Sequence, residues 1–397
     1  MAVTINTGQI ATDDPLAADL QVSMASKVAY LDTDTTQFTT LLMKLPVETA
    51  LSFKEEWEEN VFLPKNTALS ASATSAATTL SITTNEGSYA RDGDIGKFVE
   101  SGEAFRITTA SASSWTVVRA IGSVAAATAA SGTSLGGILI ISGSNEQGAT
   151  APTAVLPELT ANYNYTGINR TPIRFTKTAA WVKWYSGDIV SEARRDSGVT
   201  HKREIEQTLF DGVRSYTAGA SAPRTTTGGI QEYLSTNSTN AGGTFDKGEL
   251  ADYLRTGLQY GNANRKVWFV APIVSQVCSE FLQDNWVHAR PDDNIFGVKV
   301  DYVISGIYGA KIPVFVKREW AVFGEGTSNH IGSRGLLVDL GEIRLKKAPD
   351  VDHGRWMTLL PKRAANDADE LLEEWFSEFT VCIPQEKHLA RLLGVTG

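Results

Sequence analysis

Two long stretches of this chain cannot build a core by themselves, and that limits its fold more than any motif does. Residues 1–50 read as one such segment: Thr, Asp and Ala dominate from Met1 to Thr40, and the apolar residues Ile10, Leu16, Leu20 and Val22 stand too far apart to cluster. This segment is either an arm laid over a neighbouring subunit or a loose terminus, and composition does not choose between them. Residues 148–185 alternate aromatic or β-branched with polar residues, as in Asn162-Tyr-Asn-Tyr165, Arg170-Thr-Pro-Ile-Arg-Phe-Thr-Lys177 and Trp181-Val-Lys-Trp-Tyr185. They read as a two-stranded ribbon projecting from the body. Such a ribbon is marginal alone and needs a partner to rest on.

The remainder can fold. Phe53 and Trp57 sit among acids in a strand or short helix that leaves the arm and ends at Pro64. Residues 66–147 are Ala-, Ser-, Thr- and Gly-rich, with candidate strands at 78–84, 95–100, 104–110, 115–119 and 137–142 between turn clusters such as Asn85-Glu86-Gly87. Regular spacing of Ile, Phe, Val and Trp predicts a small all-β barrel or sandwich there. The clearest helix runs from Asp188, a capping residue, to about Tyr216, with Ile205, Leu209 and Val213 on one face and Gly198 as a point of kinking. Residues 230–340 alternate helix (247–259, 272–283) with strand (266–270, 298–304, 312–316), which predicts a compact α/β unit. Strands at 335–345, 355–360 and 374–383 follow, and their return to the body implies a discontinuous domain.

The motifs that carry chemistry are missing. His288 lies near Asp292 and Asp293, and His353 near Asp350 and Asp352, but neither group has the helical two-His spacing of a zinc hydrolase. The Asp32-Thr-Asp34 pair lacks the glycine and closing glutamate of a calcium loop. The glycine pairs at 136–137 and 228–229, and the Gly324-Glu-Gly326 turn, lack the Lys-Ser/Thr of a phosphate loop. Cys278 and Cys382 are too far apart for a zinc knuckle and read as small buried apolar groups. No catalytic residue, cofactor or metal is expected. A net charge of −9 argues against a dedicated nucleic-acid binder, though not against a wall that encloses DNA. No apolar run is long enough for a bilayer span and no secretory signal opens the chain, so a soluble protein assembled in a cytoplasm is expected. Trp181, Trp184 and Tyr185 lie close in sequence to Arg170, Arg174 and Lys177. Against the acidic net charge, this grouping reads as a protein interface more than as a nucleic-acid stacking surface.

The order of arm, ribbon, long helix, α/β unit and strand-rich return resembles the HK97-like major capsid proteins of tailed bacteriophages. Within them it is similar to the SU10-type major head proteins. The residues that carry the resemblance are Phe53-Lys-Glu-Glu-Trp57, the phrases Arg91-Asp-Gly-Asp-Ile95, Glu103-Ala-Phe-Arg-Ile107 and Trp115-Thr-Val-Val-Arg119, and the stretch Tyr163 to Tyr216. The resemblance implies an α+β fold with an N-terminal arm at 1–50, an extended loop at 51–65 and 149–180, and an inserted β domain at 66–148. It also implies a peripheral domain with a long spine helix at 181–229 and 341–397, and an axial domain at 230–340. The implied function is self-assembly through hexamers and pentamers into an icosahedral shell around the phage genome, double-stranded DNA held by proximity alone. The implied partners are a separate scaffolding protein, a portal and decoration proteins. Phe53, Trp57, Arg170, Arg174, Lys177, Trp181 and Trp184 are the candidates for contacts between subunits. An encapsulin-like compartment shares the fold, and a phage tail or receptor-binding protein is the rival from another class.

Overall fold

The computed structural model describes residues 36–396 apart from 133–136, 184–187, 220–221, 283–286, 289–293, 296–297, 300–301, 306–308, 310 and 364–368. These residues divide into two compact units. One contains the chain up to Trp57 and again from Asn162, and the other is Glu58–Ala161. The strands Lys54–Glu59 and Thr160–Tyr165 pair in a two-stranded ribbon where the chain leaves the first unit and returns.

The unit at 58–161 is an antiparallel sheet of six strands in the order Asn66–Ala68, Gly137–Gly143, Asp94–Phe98, Ala104–Ala110, Ser114–Val118 and Thr79–Ser81. Alternation along Ala104–Ala110 and Ser114–Val118 turns Phe105, Ile107, Trp115 and Val117 inward. Together with Leu80, Phe98, Ile138 and Ile140 they form a core of the unit's own. One charged side chain is enclosed there. Glu103 is fully buried, accepts two 2.6 Å hydrogen bonds from Arg119, and also accepts from the amides of Ala120 and Ala127. Every oxygen of that carboxylate is therefore met, the condition for burying a charge at tolerable cost.

The described helices of the chain are α1 (Gln37–Lys44), α2 (Lys177–Trp181), α3 (Ile189–Asp211), α4 (Ile230–Tyr233), α5 (Lys247–Leu258) and α6 (Pro272–Leu282), all in the larger unit. A mixed seven-stranded sheet runs Ser238–Gly243, Ala390–Val395, Gly335–Asp339, Lys266–Val270, Lys311–Val316, Tyr302–Ser305 and Val287–His288. Its central strands Lys266–Val270 and Gly335–Asp339 are buried at every position, as strands covered on both faces are. Helix α5 begins with a capping box, Asp246 with Glu249, and buries Leu250, Tyr253, Leu254 and Leu258. Buried Lys266 of the sheet donates to Gly257 O in its last turn, to Tyr260 O just beyond it and to His388 O, at 2.5, 2.6 and 2.8 Å.

A second sheet is built on the thirteen-residue strand Glu370–Cys382. Gly167–Thr176 pairs with it along its whole length on one side, and Arg344–Lys347 and Thr358–Arg363 pair on the other. Helix α3 packs on this sheet through matched polar contacts. Arg194 grips Glu373 at 2.6 and 2.7 Å, and its carbonyl accepts from Trp375 Nε1 at 3.1 Å. Buried His201 lies 2.9 Å from Thr171 Oγ1 and 2.8 Å from Ser377 Oγ. Thr171 gives its only hydroxyl hydrogen to Glu204, so it accepts from Nδ1–H, and Nε2 accepts from Ser377. At its far end α3 meets two parts of the chain at once, α1 and Lys317. Glu206 accepts from the amides of Phe38 and Thr39 at 3.0 and 2.7 Å, from Thr39 Oγ1 at 2.6 Å and from Lys317 Nζ at 2.7 Å. Both charges of this pair are buried. The carboxylate thus caps α1, whose own N-cap residue Thr36 makes no side-chain cap. Phe38 stacks on Phe210 at 4.7 Å and meets Phe269 edge-on at 5.2 Å, and one continuous core joins α1, α3 and both sheets.

Several expectations are corrected by this arrangement. Residues 37–44, assigned to the arm, form α1 and bury Phe38, Leu41 and Leu42, each worth roughly 1.5–3 kcal/mol. The ribbon expected at 148–185, and the extended loop expected at 149–180, end at Tyr165. Gly167–Thr176 is instead an edge strand of the second sheet, because Glu370–Cys382 offers it ten consecutive register partners. Gly198 does not kink α3. It lets Trp375 close on the helix, since a Cβ there would stand 3.2 Å from the indole. The helix stops at Asp211, not Tyr216, where the chain turns at Gly212. Ala390–Val395 joins the seven-stranded sheet between Ser238–Gly243 and Gly335–Asp339, so the closing residues expected in the peripheral domain belong with the 230–340 region.

Two outcomes test this packing. Glu206→Gln removes the carboxylate that buried Lys317 faces at 2.7 Å, and chemical denaturation is expected to report a loss of about 3–5 kcal/mol. The pair replacement Glu206→Gln with Lys317→Met recovers most of it; equal losses in both variants would contradict the role given to the ion pair. Burial pushes His201 down to about 4 from 6.5. The unfolded chain therefore takes up the proton first, and stability is expected to be full above about 6.5 and to fall as pH drops toward about 4. In His201→Gln the unfolding midpoint changes less over that interval, and an unaltered slope would place the acid sensitivity elsewhere.

Candidate functional site

The exposed face of the second sheet and the root of the ribbon hold most of the residues singled out for contacts between subunits. On Gly167–Thr176 the even positions Ile168, Arg170, Pro172, Arg174 and Thr176 face outward, away from α3. Arg170 is directly opposite Phe376 and grips Glu374 at 3.0 and 2.5 Å. Arg355 pairs with Glu378, and both guanidinium groups lie against the Phe376 ring at 5.9 and 5.7 Å from its centre. A pocket of about 220 Å³ opens among Arg170, Arg355, Asp352, His353 and Glu374. Arg174 is exposed further along the same edge. Lys177 Nζ reaches Asp369 at 3.1 Å. Trp181, the last residue of α2, is 74% exposed. Trp184 lies outside the described residues.

Phe53 and Trp57 stand apart from these, on the ribbon root. Phe53 is 55% exposed and parallel to Tyr165 at 6.2 Å, with Tyr216 6.1 Å away. Tyr165 and Tyr216 are 5.6 Å apart, which closes a triangle of rings. Trp57 meets Tyr233 at 5.7 Å. Between the two groups, Lys54 and Arg214 lie over the Tyr163 ring at 4.3 and 4.2 Å. The base of this cluster is fixed by buried Asn164, which donates to Gly228 O and Val381 O and accepts from the Gly228 amide. Tyr163, Tyr165, Arg214 and Tyr216 were not among the candidates. The pattern Tyr163-Asn-Tyr165 carries the signal, since alternation sends both rings to one face and the asparagine to the other. Tyr216 could not be found that way, because it looked like the end of a helix.

Of the residues weighed for chemistry, Asp32, Asp34 and Gly136 lie outside the described residues. Asp350 binds Lys347 Nζ at 2.9 Å and the Arg355 amide at 2.7 Å, and these hold its carboxyl below the usual carboxylate range. Cys278 and Cys382 are buried, which pushes their thiols up to about 12 and about 11. The side chains of His288, Asp292 and Asp293 lie outside the described residues. Among the described residues no three His, Cys, Asp or Glu side chains cluster to hold a metal, and no helix is long and apolar enough to cross a membrane.

Among solved structures, the chain is similar to one from Mycobacterium phage Bobi at 10% identity and a TM-score of 0.48, with 98% of this chain and 100% of that chain covered. The capsid of Myoviridae Phage XM1 is similar at 8% identity and a TM-score of 0.46, with 98% and 100% covered. The holo-SrpI encapsulin complex of Synechococcus elongatus PCC 7942 matches at 12% identity and a TM-score of 0.44, with 60% and 78% covered. No curated protein matches the chain by sequence. The family model for the SU10 major capsid protein matches residues 3–396. With that match running over nearly every residue of both units, the chain belongs to the SU10 major capsid protein family.

Proposed function

We propose that this capsid protein closes through hexamers and pentamers into an icosahedral shell of the HK97-like kind around double-stranded DNA. The observation that carries the reading is the family match over residues 3–396. The surface supports it physically. Large apolar side chains stay outside both cores, among them Leu51, Phe62, Trp181, Val322 and Val351, and are open to partners. Residues 1–35 serve as the arm over a neighbouring subunit, Glu58–Ala161 is a domain inserted into the shell-forming body, and α3 is the strut of that body. Phe53, Trp57, Arg174 and Trp181 make the contacts between copies, with Arg170 and Lys177 at their margin. The net charge of −9 suits a wall that encloses packed phosphates without binding them. A separate scaffolding protein directs assembly in the host cytoplasm, and portal and decoration proteins complete the head. No catalysis is involved.

Electron microscopy of the full chain co-expressed with its scaffolding protein is expected to show large closed shells, and small discrete oligomers would overturn the reading. Removal of residues 1–35, which stops short of α1, is expected to leave folded subunits that form no regular shells. Trp181→Ala combined with Arg174→Glu is expected to keep the unfolding midpoint, because both side chains are exposed. It lowers association by roughly 2 kcal/mol or more, the scale of a tryptophan anchor, as read by sedimentation.

A further inference from the structure

The ring triangle of Phe53, Tyr165 and Tyr216 is an uncovered surface with a definite chemistry. Its rings lie within 8–32° of one another and 5.6–6.2 Å apart, and Tyr216 is 47% exposed. Beside it Lys54, which pairs with Glu56, and Arg214 sit on Tyr163, which itself meets Tyr165 edge-on at 5.6 Å. The floor is therefore aromatic, with the Arg214 guanidinium as the positive group at its rim.

The same chain carries a segment shaped for such a surface. Residues 149–159, Ala-Thr-Ala-Pro-Thr-Ala-Val-Leu-Pro-Glu-Leu, form no helix or strand. Pro152 and Pro157 lack amide hydrogens, which keeps the segment out of sheet ladders, and Leu156 is held extended by the proline that follows it. A polyproline-like turn of three residues puts Leu156 and Leu159 on one side, about 9 Å apart. These two leucines are 80% and 58% exposed. Glu158 stands between them and supplies a negative charge. An extended, proline-bearing segment with apolar residues at that spacing is what aromatic-lined surfaces receive.

We propose that the Phe53, Tyr165 and Tyr216 surface seats residues 150–159 of a second copy of this chain, with Leu156 and Leu159 on the rings and Glu158 toward Arg214. The two halves of the contact are different patches of one molecule. Such a heterologous contact repeats from copy to copy and closes into a ring when the rotation between copies permits. The proposal rests on the shell-forming reading and adds to it which parts of two neighbours meet.

Both native cysteines are buried, so introduced thiols at exposed positions are the reactive ones. Full-length Tyr216→Cys and Leu156→Cys chains are co-expressed into mixed particles, oxidised and run on a non-reducing gel. A dimer band in the mixture that is missing from particles of either variant alone is expected. A chain carrying both changes is expected to give a ladder of covalent oligomers. Mixed shells without the dimer, or a double variant that only bridges within its own chain, overturn this inference and leave the shell reading intact. Wild-type chains that form no shells end both. A third variant, Leu156→Ser with Leu159→Ser, alters only exposed side chains and is expected to keep the subunit's unfolding midpoint. Its particle yield should fall roughly tenfold or more, as loss of two leucines from a buried contact requires. Undiminished yield overturns the proposal.

Discussion

The carboxylate of Glu206 is the joint on which the larger unit depends. It lies in the middle of the core, and it meets the first-turn amides of α1, the hydroxyl of Thr39 and the ammonium of Lys317. An eight-residue helix has little stability in isolation. Here its first turn is held by a fixed anion while Phe38, Leu41 and Leu42 fill the space beside Phe210 and Phe269. Lys317 follows directly on the strand Lys311–Val316, and its amide donates to Val270 O. One side chain of α3 therefore holds α1 and the end of an interior strand of the seven-stranded sheet in register with each other.

Helix α3 reads as weakly amphipathic because its inner face is largely polar. Arg194, His201, Glu206 and Asp211 each face a specific partner: Glu373, Ser377 with Thr171, Lys317, and Arg334. Apolar ridges can slide by a residue at modest cost, but a row of matched donors and acceptors cannot, since every mismatch leaves a buried polar group unmet. The strut is thus fixed to the sheet in one register. That rigidity is a useful property in a subunit whose outer surfaces must present the same geometry to every neighbour.

What the sequence made legible were the elements whose signals are local. The strands at Ala104–Ala110 and Lys266–Val270, the cap at Asp188 and the capped helix α5 all carry their periodicity and end signals within a few residues. What it hid were pairings across the chain. Gly167–Thr176 has the alternation of any half-exposed strand, and nothing local says that its partner is Glu370–Cys382, some two hundred residues on. The same holds for Ala390–Val395, which enters a sheet whose other strands lie far earlier. Helix α1 was read as part of the arm with the sparse segment before it, because the core that Phe38, Leu41 and Leu42 join is supplied by other elements. Of the candidate site, the aromatic members were visible as residues, but the triangle needed Tyr216 from beyond α3.

The structure also changes the kind of recognition that the surface supports. In the sequence, Arg170, Arg174 and Lys177 stand beside tryptophans and look like a joint cationic and aromatic interface. In the fold, Arg170 is committed to Glu374, Lys177 to Asp369, and Arg355 to Glu378. Charges already matched within a subunit contribute little to binding another, since a new partner must first displace the old one. Large apolar and aromatic groups such as Trp181, Phe53 and Leu156 have no comparable internal cover. Contacts between copies then draw on shape and apolar area more than on charge. Such contacts hold their strength across ionic conditions, because the hydrophobic term is not screened by salt as surface charge pairs are.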